Sequence, residues 1–206
     1  VSHAQRRTRA MLRLSLGLAL LLLCAALVLR EGLVRHAEAS RPDLAARLWP
    51  ASGNALALLA LERARQSEGM ADAAGQRLIA QAMARIPAAG LPLALAGLDA
   101  SARGDLPRAT ALMEAARHRS PRLALVRGWL INEYARTGRY DAVMAEAGPV
   151  MRLSVDSRPQ VYALIAAIAA RPDGKAAVAG ALAADPDWRL PYQQWLAAQG
   201  PAAAQQ

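Results

Sequence analysis

Four glycines, Gly69, Gly104, Gly138 and Gly174, stand 35, 34 and 36 residues apart, each between two helical patterns. A period of that size marks a chain built from one repeated supersecondary unit. The contexts are related: Ser67-Glu68-Gly69-Met70-Ala71-Asp72, Arg103-Gly104-Asp105-Leu106, Thr137-Gly138-Arg139-Tyr140 and Asp173-Gly174-Lys175. In each unit the glycine is expected to take the left-handed conformation that ends a first helix, and the residues after it to open a second. Small residues such as Ala74 and Ala109 follow five places later, where they would let two helices approach closely. One such hairpin cannot bury its apolar stripe, so hairpins must stack.

Composition points the same way. Ala supplies 51 of the 206 residues and Phe none, so the chain is rich in the best helix former and poor in strand formers. An all-α fold is predicted. The single cysteine, Cys24, excludes a disulfide framework and a Cys-based zinc site. The three histidines, at positions 3, 36 and 118, are too scattered for a metal cluster. Neither a metal nor a cofactor is expected.

Ahead of the repeats, Leu14–Leu29 is a run of sixteen residues without a charge. Counting Met11 and Leu12, with Arg13 snorkelling, it reaches about nineteen, close to the length that crosses a hydrocarbon core. Arg6, Arg7, Arg9 and Arg13 precede it, whereas Arg30 and Arg35 after it are offset by Glu31 and Glu38. The positive-inside rule then keeps the N-terminus in the cytoplasm and exports the rest to the periplasm. The expected division is a cytoplasmic basic N-terminus (1–13), a transmembrane helix (14–29), a juxtamembrane linker with a helical turn or two at Leu44–Trp49 (30–53), a repeat domain (54–199) and a disordered tail (200–206).

A cleaved signal peptide is the competing reading. Ala37-Glu38-Ala39 has the small-x-small form but lies ten residues past the apolar run. Leu21-Leu22-Leu23-Cys24 lacks the small residue a lipoprotein box needs before its Cys, and Arg6-Arg7 lacks the rest of a twin-arginine pattern. An uncleaved inner-membrane anchor is expected, with Cys24 as apolar filler inside it.

The net charge of +9 has to be located before it is interpreted. Five Arg and no acid fall within residues 1–30, and 24 of the 25 cations are Arg. The first is a topology signal and the second fits GC-rich bacterial coding, so no nucleic-acid partner is expected. Arg117, Arg119, Arg122 and Arg127 form a dense basic stretch that reads as a solvated rim, with anionic lipid or an acidic glycan as the alternative.

The units resemble the tetratricopeptide repeat. In residues 90–123, Gly97 matches the small residue of the first helix and Gly104-Asp105-Leu106 the turn. Ala109, Met113, Ala116 and Pro121 match the second helix and its closing proline. Residues 124–157 match through Leu130, Tyr134, Gly138, Tyr140 and Val143, with Gly148-Pro149 expected to interrupt the second helix. Residues 55–89 match through Leu58, Leu61, Gly69, Ala74 and Leu78. A degenerate unit runs from near Pro159 to Asp185-Pro186, and Trp188–Gln199 would cap the array.

The resemblance implies an α-solenoid of about four hairpins that binds extended peptides or helices on the face lined by first helices. Asn132 and Arg136 lie four apart on the first helix of the third hairpin and so share that face. Asn can fix a peptide backbone and Arg can clamp a carboxylate. Gly128 stands where the carboxylate-clamp version of the family carries a Lys, so that clamp is incomplete. Trp129, with Tyr134, is either inter-helix packing or a ligand platform. Trp129, Asn132 and Arg136 are the candidate partner-binding groove.

Catalysis is not expected. No HExxH, GxSxG, P-loop or GxGxxG motif occurs. His118, in Arg117-His118-Arg119, sits where cations meet the negative end of a helix, and His36 lies in the linker. The expected function is a membrane-anchored periplasmic scaffold or adaptor for protein partners. By family habit it would serve an envelope or polysaccharide export assembly. The alternative is a chaperone for unfolded clients, in cytochrome c maturation or beside the translocon.

Overall fold

A computed structural model describes residues 3–67 and 71–200, with side chains for all of these except 3–16, 18, 19, 34 and 39. Gly69 and the expected tail beyond Gly200 lie outside the described residues, as do the side chains of the basic N-terminus. The described residues form helices and no strands. In order these are α1 (His3–Ser40), α2 (Pro42–Leu48), α3 (Gly53–Gln66), α4 (Ala73–Arg85), α5 (Gly90–Ala102) and α6 (Leu106–Arg119). There follow α7 (Ala124–Arg136), α8 (Tyr140–Leu153), α9 (Arg158–Ala169), α10 (Lys175–Ala183) and α11 (Arg189–Ala198), with a 3-10 turn at Val155–Ser157.

Local sequence explains where the helices begin. The side chains of Ser52, Asp72 and Asp105 accept from the backbone N–H groups of Ala55, Gly75 and Arg108, satisfying donors that a helix start leaves unpaired. Two helices end alike. Gly104 (φ +82°) and Gly138 (φ +73°) are left-handed. The N–H that follows each reaches back, Asp105 to the Ala100 carbonyl at 2.9 Å and Arg139 to the Tyr134 carbonyl at 2.8 Å. Gly174 departs from this expectation: its φ is −93° and it opens α10. A Cβ there would lie 2.4 Å from the Ile168 carbonyl oxygen, so crowding rather than handedness demands glycine.

The helices pair in sequence order, α3 with α4, α5 with α6, α7 with α8 and α9 with α10, and each pair packs on the next. The last pair is looser, since α10 packs as closely on α8 as on α9. One core cluster runs from α5 to α11 around Met113, Leu130, Tyr134, Val143 and Ile165. A second joins α3, α4 and α5 around Leu56, Ile79 and Leu95. Ala57, Ala82, Ala94, Ala109, Ala116 and Ala147 are fully buried at the helix crossings, where a larger side chain would hold the helices apart. The register differs in the first hairpin: Gly75 is buried while Ala74 is only half-buried, and α4 starts four residues after position 69 where α6 starts two after Gly104.

One further expectation is corrected and another is filled in. Gly148-Pro149 does not interrupt the second helix of its hairpin, since α8 runs through it. Proline removes one backbone hydrogen bond, but α8 buries Val143, Met144, Ala147, Val150 and Met151, and that packing outweighs the lost bond. The segment 30–53 is mostly helical, with α2 on the helical turns expected near Leu44–Trp49. With a Glu31–Arg35 pair at 2.9 Å supporting it, α1 continues to Ser40, one residue before Arg41-Pro42 turns the chain into α2. Then α2 packs back along α1, and the Arg30 guanidinium carbon lies 4.1 Å from the centre of the Trp49 ring. Glu38 accepts from Ser52 Oγ and Asn54 Nδ2, both at 2.8 Å, fastening α1 to the start of α3.

Among the described residues no helix is long and apolar enough to cross a membrane; the side chains of 14–16, 18 and 19 in the charge-free run fall outside them. From Leu20 to Leu29 every residue is exposed, the large side chains by 50 to 72 %. At the other end, Trp188, Tyr192 and Tyr162 are buried with the half-buried Trp195 beside them, and the Tyr162 and Tyr192 rings stand 5.7 Å apart. This aromatic group closes the array against α11.

Candidate partner-binding groove

The three groove residues read from the sequence sit together on α7 but do not converge on one point. Asn132 is exposed, and its Nδ2 donates to the Gly128 carbonyl of the preceding turn at 2.8 Å. Trp129 is half-buried and packs against the larger core cluster. Arg136 gives its fork to Glu133, Nε to Oε2 at 2.8 Å and Nη2 to Oε1 at 2.6 Å. Those hydrogen bonds hold the Glu133 carboxyl below its ordinary range despite its burial. A clamp for a ligand carboxylate would have to displace this pair.

Beside Arg136 lies a cleft of about 530 Å³ between the turn after α5 and the turn after α7, lined also by Gly104, Pro107, Thr110 and Arg139. Its cations are engaged as well. The Arg139 guanidinium lies 4.4 Å from the centre of the Tyr134 ring and donates to Glu114 at 3.3 Å. The Tyr134 hydroxyl donates to the same carboxylate at 2.8 Å. Burial, reinforced by that hydrogen bond, pushes the Tyr134 phenol up to about 12.

A second cleft, about 420 Å³, separates α4 from α5 and α6 and is lined by Ile79, Met83, Asp99, Arg103 and Arg108. Here the structure places a pair that motif reading passed over. Asp99 Oδ1 accepts from the Ala71 N–H at 3.0 Å, and Arg103 Nη2 donates to the Ala71 carbonyl at 3.0 Å. Together they take both polar groups of one residue, the chemistry by which a helical face grips a peptide backbone, and they spend it on the chain's own turn after α3. Burial opposes ionisation of Asp99. The hydrogen bonds from Arg103, Gln76 and Ala71 outweigh it and hold the carboxyl below its ordinary value. The i, i+4 spacing of Asp99 and Arg103 was the available signal.

The basic stretch is a solvated rim only in part: Arg119 and Arg122 are exposed, while Arg117 and Arg127 turn inward. Arg117 Nη1 donates to Glu146 Oε1 at 2.6 Å, and Arg127 Nη1 donates to the other oxygen of the same carboxylate. Arg127 Nε reaches the Pro121 carbonyl at 2.6 Å, and Arg119 donates to the Pro87 carbonyl. Three of the four guanidinium groups are therefore structural ties, and Arg122 is exposed. Glu146 is 2 % exposed, and its lone acid among the apolar positions of α8 was the readable clue. His118 is exposed beside Arg117, and His36 is exposed on α1. Among the described residues no group of three or more His, Cys, Asp or Glu is placed to hold a metal ion.

Comparison with protein-family models, with curated proteins and with solved structures finds no match.

Proposed function

We propose that this chain is a membrane-anchored scaffold whose stacked helical hairpins hold partner proteins beside the inner membrane, rather than an enzyme. The observation that carries the reading is the exposure of Leu20–Leu29 on every side of that stretch of α1. Seven large apolar side chains left in water forfeit on the order of 10 kcal/mol, at roughly 1.5–3 for each one fully buried. A bilayer removes that cost, and the Arg-rich flank before the run sets the hairpins on the periplasmic side.

The tetratricopeptide-like reading is supported by the order of the pairs and by two identical helix ends, at Gly104 and Gly138, 34 residues apart. Asn132 remains the exposed polar group on a first helix best placed to meet a peptide backbone, two turns along α7 from the exposed Leu125. Sharing the membrane with its partner raises the effective concentration enough for a shallow groove to work. An envelope or polysaccharide export assembly is a fitting setting for such a scaffold.

The test is extraction and co-purification of the full chain from bacterial membranes. The chain should stay in the pellet at alkaline pH and bring one or two stoichiometric partners through mild detergent, with Asn132→Arg lowering their recovery. Many substoichiometric clients and suppression of aggregation would mark a chaperone instead. Release into the alkaline supernatant would remove the anchor.

A further inference from the structure

We infer that the turnback of α2 onto α1 seats the hairpin domain directly on the lipid bilayer, with Trp49, Leu33 and Leu48 in the boundary between headgroups and acyl chains. The inference rests on the reading that residues 14–29 span the membrane. Given that span, Leu29 ends the hydrocarbon layer and Arg30 stands at the headgroups. The Trp49 ring lies over the Arg30 guanidinium at 4.1 Å, so it is held at the same depth. Trp is the side chain best suited to that depth, with an apolar body and one N–H donor.

The apolar surface also continues past the charge-free run. Leu33 is 61 % exposed and Leu48 52 % exposed. Leu33 lies four residues beyond Leu29, about 6 Å along the helix, within the roughly 5–8 Å that headgroups add on each side of the core.

A lock transmits this depth to the domain. Glu38 holds the first residues of α3 through Ser52 Oγ and Asn54 Nδ2, and Ala37, Ala46 and Trp49 pack around the buried Ala45 and Ala55. The hairpins are therefore fixed at one height and tilt over the lipid instead of swinging on a tether. Partners would be met at the membrane surface.

Depth-dependent quenching of the full chain in vesicles of phosphatidylcholine and phosphatidylglycerol tests this. Subtracting the spectrum of Trp49→Phe isolates Trp49 from Trp129, Trp188 and Trp195. Phosphatidylcholine brominated high on the acyl chain should quench the Trp49 component more strongly than lipid brominated near the chain end. Glu38→Ala should lose much of that quenching while circular dichroism keeps its helical signal. Equal quenching of wild type and Trp49→Phe, with both resistant to alkaline extraction, would overturn the seating and leave the anchor standing. Extraction of both at alkaline pH would overturn the anchor and the seating together.

Discussion

Arg117 donates to the Glu146 carboxylate at 2.6 Å, joining α6 to α8 across the boundary between the second and third hairpins. Arg127 of α7 takes the other oxygen, so three helices meet on one nearly buried acid. Glu146→Ala would leave two cations without their partner at a site their own helices keep partly dry. Removing one member of such a group costs about 3–5 kcal/mol. Urea denaturation should show the loss as a lower midpoint with little change in slope. Arg122→Ala, in the same basic stretch but without these ties, should leave the midpoint within about 0.5 kcal/mol of wild type.

Two glycines inside helices should respond to alanine with opposite signs. A Cβ at Gly90 would lie 2.6 Å from the Ala116 carbonyl oxygen and 2.7 Å from Ser120 Cβ, so Gly90→Ala must push α5 off α6. Overpacking of that kind costs about 1–3 kcal/mol. At Gly128 nothing lies within 4 Å, and the residue is interior to α7. Gly128→Ala should therefore gain about 0.5–1 kcal/mol from helix propensity alone. Thermal melts of the two variants check the signs.

Asp99 should contribute an acid limb to stability. Its folded carboxyl lies below the ordinary value of 3.8, so the folded state binds the proton less readily than the unfolded one. The stability from its ties to Ala71, Gln76 and Arg103 is present above 3.8 and fades as the pH falls below it. Asp99→Asn should lower stability at neutral pH, and the gap between variant and wild type should narrow below about pH 4. Denaturation curves over pH 2–7 would show convergence; a constant gap would mean the ionised form is not what matters.

Tyr134 should supply the alkaline counterpart. Its phenol is raised from 10.0 to about 12, so the unfolded chain loses this proton first and stability declines between those values. Tyr134→Phe should flatten that decline and cost about 1 kcal/mol at neutral pH through the lost hydrogen bond to Glu114. Phenolate absorbance during alkaline titration should show one fewer late-ionising group in the variant.

The hairpin order was legible because it is written in local chemistry. Asp72 and Asp105 cap helices, Gly104 and Gly138 end them, and each of these needs only its near neighbours. Pro149 misled because its local preference is real but is outvoted by the buried apolar side chains on the same helix. In segment 30–53 the helical turns near Leu44–Trp49 were legible from the short apolar stretch, but the ties of Glu38 to Ser52 and Asn54 were not, because they join residues 14 and 16 positions apart. For the groove, sequence located Trp129, Asn132 and Arg136 on one helix, but no spacing rule says that Arg136 is already held by Glu133.

What the sequence determined by itself is the all-helical class, the period of the hairpins and the apolar run ahead of them. These follow from backbone propensity, capping and periodicity, which act over a few residues. Only the tertiary structure decided that Arg117 and Arg127 turn inward onto Glu146, that Asp99 and Arg103 grip Ala71, and that α2 folds back to put Trp49 over Arg30. Each of those joins residues 19 or more positions apart. Partner choice among charges at that distance depends on which helices stack, and stacking follows from the buried apolar faces around Met113, Leu130, Val143 and Ile165, which no local rule reads.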